Sequence, residues 1–137
     1  MNLQLSPLFV ISAKVFSDPP MNIAEIIKSG ENCKFADNDV QWKSSAKIKD
    51  GTYKIGIRPH NITTYKEGNN SVEIKGKVQI SELSGSESLI HFTNGNLNWV
   101  SLSNGTQQKN VGEDTKLYMN TDEFLYFDQN NRLVNNG

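Results

Sequence analysis

The dipeptide Asn94-Gly95 stands between two short apolar segments, residues 89–92 and 97–102. Asn-Gly is favoured in the tightest β-hairpin turns, because such a turn needs positive φ at both central residues. The flanking segments carry branched and aromatic side chains of the kind that strands favour. This stretch therefore predicts a β-hairpin with Asn94 and Gly95 at positive φ, whose two strands are antiparallel.

Alternation of apolar and polar residues recurs along the rest of the chain. Tyr53, Ile55 and Ile57 alternate with polar or small residues before Pro59, which predicts a half-buried strand. Further strands are predicted at residues 72–80, 89–92, 97–102, 117–119, 125–128 and 132–134. The interior Gly76 indicates a bulge or a barrel corner. Several short strands joined by polar turns predict a mainly β fold, either a small closed barrel or a sandwich.

The beginning of the chain has a different pattern. Ser6-Pro7 is a typical helix start and Asp18-Pro19-Pro20 a typical stop, which together predict a short helix over residues 6–17. Residues 21–28 are ambiguous, because the spacing of their isoleucines also fits one helical turn.

Composition narrows the classes of function. The 137 residues fit one domain, and a net charge of -1 provides no basic footprint for nucleic acid or an anionic membrane. The single Cys33 excludes an internal disulfide, and His60 and His91 have no partner at metal-ligand spacing. No apolar run reaches the roughly 20 residues that a membrane span needs. We therefore expect no metal, no cofactor and no direct membrane insertion.

Four segments, in order, carry a resemblance to one family. Residues 55–62 (IGIRPHNI) and 82–92 (ELSGSESLIHF) resemble two conserved segments of the TOBE domain, the accessory domain at the C-terminal end of ATP-binding subunits in sugar-type ABC importers. Residues 19–22 (PPMN) are similar to the point where such subunits pass from ATPase domain to accessory domain. Residues 124–128 (FLYFD) resemble the closing strand of the family.

The resemblance implies an architecture and a role. Residues 1–20 would be the connector from an ATPase domain, with its short helix, and residues 21–137 an OB-like β domain that begins with a strand at 21–28. Two interleaved OB-like units, 21–60 and 70–134, would correspond to a common arrangement in the family. The implied role is noncatalytic regulation and dimerisation of the ATP-binding subunit, in the cytoplasm and peripheral to the inner membrane through the transporter.

The resemblance also implies partners: an ABC ATPase domain, a second ATP-binding subunit in a homodimer, and a regulatory protein. The chain has no G-x-x-x-x-G-K-[ST] run to cradle phosphates and no Leu-Ser-Gly-Gly-Gln signature. Leu83-Ser84-Gly85-Ser86 has only a superficial likeness to that signature. We therefore expect no ATPase activity from this chain.

Two places are candidates for binding a ligand or a partner. Arg58 ends a predicted strand, where it either braces the barrel mouth through carbonyl contacts or an ion pair, with Glu82 and Glu87 as possible partners, or grips a partner's carboxylate or an oxyanion. Gly85 and Ser86 lie in a segment that is either a simple strand-linking turn or an anion-binding concavity.

These candidates leave two alternative functions open. The first is a barrel that senses an oxyanion or a sugar phosphate at the Arg58 and Gly85 loops. The second is an OB-type nucleic-acid binder with Trp42 and Trp99 as stacking platforms. The lack of basic excess argues against nucleic acid, and packing in the core is the simpler interpretation of both tryptophans.

Overall fold

The computed structural model describes residues 21–66, 68–105 and 109–135, which form eleven strands and two short 3₁₀ turns. The predicted connector 1–20 and its helix lie outside the described residues. The 3₁₀ turns are Pro59–Asn61 and Thr121–Glu123. The strands are β1 (Asn22–Ser29), β2 (Asn32–Phe35), β3 (Gln41–Lys43), β4 (Gly51–Ile57), β5 (Ile62–Thr63), β6 (Ser71–Ser84), β7 (Glu87–Asn94), β8 (Leu97–Asn104), β9 (Asp114–Asn120), β10 (Leu125–Phe127) and β11 (Leu133–Asn135).

The strands form two antiparallel sheets. The first has the order β11-β10-β4-β1-β2-β3, and the second has the order β5-β9-β6-β7-β8. The prediction of a mainly β fold is therefore confirmed. Within the described residues, no helix has the length and apolar character that crossing a membrane requires.

The second sheet curls until its two edge strands meet. The Ser101 hydroxyl of β8 donates a hydrogen bond of 2.6 Å to the Ile62 carbonyl oxygen of β5. This contact joins the first and last strands of the sheet, so the five strands form a nearly closed barrel, as predicted for an OB-like fold. Closure leaves few unpaired strand edges in this part of the molecule.

The two sheets share one core. The side-chain amide of Asn22, at the start of β1, bonds to β8 as the backbone of a neighbouring strand would. It donates to the Val100 carbonyl (2.8 Å) and accepts from the Val100 amide (2.9 Å). The indole of Trp99 on β8 meets the ring of Phe35 on β2 edge-on, with centroids 5.6 Å apart. Apolar side chains of both sheets are thus packed against each other.

The chain passes between the sheets twice. It leaves the first sheet after β4, through the turn Pro59–Asn61 into β5, and it returns after β9, through the turn Thr121–Glu123 into β10. Strands β10 and β11 pair in the first sheet, where Leu125 lies opposite Gly56. The division into units 21–60 and 70–134 stays a prediction. Within the described residues, β10 pairs with β4, and β11 pairs with β10 at the edge of the first sheet.

The ambiguous residues 21–28 are a strand, and their fit to a helical turn is misleading. In β1, Ala24 and Ile26 are buried while Glu25 and Ile27 are exposed. This two-residue period is that of a strand with one face in the core. Ile27, which helical spacing would place beside Ile23 and Ile26, is 48% exposed.

The predicted hairpin at Asn94-Gly95 is confirmed, but its turn lies one residue further along. Asn94 pairs with Leu97 as the last residue of β7, so the two turn residues are Gly95 and Asn96. Gly95 has φ 57°, and Asn131 is the single non-glycine residue with positive φ in the described ranges. Positive φ at the first central residue alone is typical of a type II′ turn, which also suits a hairpin.

The bulge expected at Gly76 occurs three residues later. The register of β6 against β7 shifts between Val78 and Ile80, which leaves both Gln79 and Ile80 exposed. Gly76 is glycine for another reason: a Cβ atom there would overlap the ring of Phe92 on β7. The absence of a side chain lets the aromatic ring lie directly against the β6 backbone.

Two neighbouring serines of β8 provide a test of barrel closure. Ser101 and Ser103 are both buried, but the Ser103 hydroxyl has no hydrogen-bond partner among the described residues. Ser101→Ala should lower the free energy of unfolding by about 1–3 kcal/mol, because the closing bond to Ile62 is lost. Ser103→Ala should leave stability unchanged or raise it by up to about 1 kcal/mol. Urea unfolding would measure both, and equal losses would contradict the closing role of Ser101.

The close contact at Gly76 provides a second test. Gly76→Ala should destabilise the protein by about 1–3 kcal/mol, because the added methyl group forces the Phe92 ring to move. In a Phe92→Leu background the same change should cost at least about 1 kcal/mol less. Urea unfolding of the four proteins in this double-mutant cycle measures the coupling, and strictly additive effects would show that Phe92 is not the obstacle.

Candidate functional site

Four of the five predicted site residues lie together on one hairpin. Glu82 lies near the end of β6, Gly85 and Ser86 form the turn, and Glu87 begins β7 opposite Ser84. All four are exposed. Gly85 has φ 61°, which again is typical of a turn with glycine first.

The backbone of this hairpin is fastened to the end of β8. The Ser86 carbonyl accepts a hydrogen bond from the Gly105 amide at 2.7 Å, and the Ser88 hydroxyl donates to the Gly105 carbonyl at the same distance. Glu82 and Glu87 add two negative charges beside the turn, which disfavours an anion there. The arrangement is that of a strand-linking turn.

Arg58 lies outside this hairpin, between the end of β4 and the first 3₁₀ turn. It follows β4, its carbonyl accepts the Asn61 amide at 2.9 Å to close the 3₁₀ turn, and its side chain is exposed. Within the described residues, no ion pair joins Arg58 to Glu82 or Glu87. The joint role of Arg58 and the hairpin residues in binding a ligand or a partner therefore stays a prediction.

A polar cleft of about 390 Å³ lies elsewhere, where the edge of the first sheet meets the second crossing between sheets. One wall is formed by Lys43 and Ser45, at the end of β3, with Glu31 from the β1–β2 turn. The opposite wall is formed by Asn70, before β6, and Asp122 of the second 3₁₀ turn. These residues come from four separate places in the sequence, so no spacing pattern predicts the cleft.

The floor of the cleft is a chain of hydrogen bonds. The Trp42 indole N–H donates to the Tyr126 hydroxyl at 3.1 Å, and that hydroxyl donates to Ser44 Oγ at 3.1 Å. Ser44 Oγ also accepts the Ala46 amide at 3.1 Å. Ser44 also forms a hydrogen bond with the Cys33 thiol, so all of its hydrogen-bonding groups are engaged within the protein.

Aromatic packing holds this floor in place. The Trp42 ring lies 5.1 Å from the ring of Phe35 and 5.1 Å from that of Phe124, tilted in the first case and edge-on in the second. Such pairs stabilise a fixed ring geometry. Trp42 and Trp99 are 7% and 2% exposed, which confirms packing in the core as the role of both tryptophans.

The second wall is held by the crossing turn. Asn70 Nδ2 donates to Asp122 Oδ2 at 2.7 Å, and the Asn70 carbonyl accepts both the amide and the hydroxyl of Thr121. Asn120 Oδ1 caps the turn by accepting the Asp122 amide at 3.1 Å. No sequence pattern indicates this position of Asp122, because its partner Asn70 lies 52 residues earlier in the chain.

Two ionisable groups below the cleft are shifted by their surroundings. Burial raises the pKa of the Cys33 thiol above its ordinary value of 9.0, although the charge on Lys28 and hydrogen bonding to Ser44 and Tyr126 act in the opposite direction. Burial also raises the pKa of the Tyr126 phenol above 10.0, against the effect of its hydrogen bonds with Ser44 and Trp42. Both groups are therefore neutral at physiological pH.

The described residues contain no group of three or more His, Cys, Asp or Glu side chains that could hold a metal ion. A comparison with protein-family models found no match for this chain, and a comparison with curated protein sequences also found none.

The raised pKa of Cys33 predicts weaker folding at alkaline pH. The unfolded thiol loses its proton from about pH 9, whereas the folded thiol holds it longer, so stability falls as pH rises. The loss should reach up to about 1.4 kcal/mol per pH unit. Urea unfolding of wild type and Cys33→Ala between about pH 8 and pH 10 measures it. Cys33→Ala should show the flatter profile, and parallel profiles would exclude the thiol as the cause.

Proposed function

We propose that this chain is the noncatalytic accessory domain, of the TOBE type, of an ABC importer ATP-binding subunit for sugars or related solutes. The proposal begins with the four family-like segments and their order along the chain. It accounts for the missing phosphate-binding run, since ATP hydrolysis would belong to a separate ATPase domain.

The observation that carries the proposal is where the segments lie in the fold. Residues 55–62 cover the first crossing between the sheets, and residues 82–92 cover the hairpin of β6 and β7. Residues 124–128 contain β10, where the chain returns to the first sheet. Family-like residues thus fall at the points that set the topology, rather than at scattered surface positions.

A role in dimerisation has support from the surface of β6. Ile80 and Leu83 are 45% and 47% exposed, and Leu83 belongs to one of the family-like segments. Because they are three residues apart in an unbroken register, the two side chains project from opposite faces of the strand, so Leu83 alone marks the proposed contact surface. We propose the second ATP-binding subunit as the main partner, with a regulatory protein as a further one. The location would be cytoplasmic, peripheral to the inner membrane.

The two alternatives have weaker support. An oxyanion or sugar-phosphate sensor at the Arg58 and Gly85 loops would have to tolerate the exposed carboxylates of Glu82 and Glu87. A nucleic-acid binder would need accessible stacking platforms, but both tryptophans are buried and the net charge is -1.

A fusion experiment tests the proposed function. The full chain is joined to the ATPase domain of a sugar-importer subunit from which the native accessory domain has been removed. The fusion should dimerise at least about tenfold more tightly than the truncated subunit, a gain of about 1.4 kcal/mol. Analytical ultracentrifugation measures the dimer, and circular dichroism verifies that the β domain is folded.

A matched pair of variants sharpens this test. Leu83→Glu should weaken the dimer of the fusion, because it places a charge on the proposed contact surface. Ile27→Glu serves as the control, since Ile27 is 48% exposed and lies on β1 of the first sheet, outside the family-like segments. A folded fusion that dimerises no better than the truncated subunit would overturn the proposal.

A further inference from the structure

We infer that the polar cleft between β3 and the second crossing is a binding site for a small neutral polyhydroxylated molecule of the saccharide or polyol class. The inference rests on the cleft alone and does not depend on the proposed transporter role. Its volume of about 390 Å³ lies within the usual range for small-molecule sites, roughly 300–1,000 Å³.

The charges of the walls select against ionic ligands. Glu31 and Asp122 contribute two carboxylates and Lys43 one ammonium group. An anion would meet a net negative site, and an organic cation would lie beside the lysine, so neither charge is matched cleanly. A neutral ligand avoids both conflicts.

The cleft offers donors and acceptors together. Within the described residues the exposed Ser45 hydroxyl has no partner, so it can both donate and accept. Asn70 and Asp122 use one donor and one acceptor on each other, which leaves Asn70 Oδ1 and Asp122 Oδ1 able to accept. A ligand hydroxyl donates and accepts at once, and several hydroxyls on one small ring or chain would satisfy these groups.

The floor is ordered before any ligand arrives. Trp42 is fixed by two ring contacts and by its bond to Tyr126, and Tyr126 in turn orients Ser44. A site whose groups are already in place loses little conformational freedom on binding.

An NMR titration of the full chain tests the inference. The probes are glucose, maltose and glycerol, with inorganic phosphate and choline as charged comparators. We expect the neutral probes to shift amide signals of residues 42–45, 70 and 121–122, and few others. No shift with any neutral probe would overturn the inference, as would shifts of these signals with phosphate or choline alone. Thermal denaturation is less informative, because sugars stabilise proteins generally through exclusion from their surface.

Two serine variants give a matched control. Ser45→Ala should weaken binding of the effective probe by roughly two- to tenfold, the loss expected for one hydrogen bond. Ser86→Ala should leave binding unchanged, because Ser86 is equally exposed but lies on the β6–β7 turn. If Ser86→Ala weakened binding and Ser45→Ala did not, the site would lie at the hairpin and the cleft assignment would be wrong.

A fluorescence measurement on Trp99→Phe gives an independent readout. Trp42 is then the single tryptophan of the chain, so a change of its emission with the neutral probe reports on the floor of the cleft. An unchanged emission together with unchanged amide signals would overturn the inference.

Discussion

The contact between Phe35 and Trp99 holds the two sheets against each other, and most other features of the molecule depend on it. Phe35 also packs against Trp42, and Trp42 packs against Phe124, so a row of rings runs from the barrel, past β2 and β3, to the second crossing between the sheets. Polar groups are placed around this row rather than within it. The hydroxyl of Tyr126 is buried but fully bonded, which lets the row end in a polar floor without leaving an unsatisfied group.

Local patterns were sufficient to predict the strands but not their arrangement. The alternation in residues 53–57 and 117–119, and the glycine of the central hairpin, each report on near neighbours in the chain. The position of the hairpin turn and of the bulge in β6 depends on cross-strand register, which a single strand does not encode. Gly76 shows the same limit, because the residue that requires a glycine there is Phe92 on the next strand.

The cleft lay beyond sequence reasoning for a related reason. Glu31, Ser45, Asn70 and Asp122 are ordinary turn residues when each is considered alone, and only the crossing of the chain between sheets brings them together. The residues predicted as a site on the Gly85 turn are, by contrast, neighbours in the sequence. Their proximity could therefore be predicted, but the fit of the turn to an anion could not, because that depends on the charges around it.

The return of the chain to its first sheet has a consequence for synthesis. Leu125 and Tyr126 pair with Gly56 and Ile55, which leave the ribosome long before them. Until β10 arrives, β4 has an unpaired edge, and the Tyr126 hydroxyl that orients Trp42 is absent. Pairing across such a distance is slow compared with forming a hairpin, so the nascent first sheet stays open to wrong pairing while the barrel is being made. The first sheet, which begins with β1, is therefore completed only when the C-terminal strands β10 and β11 have been made.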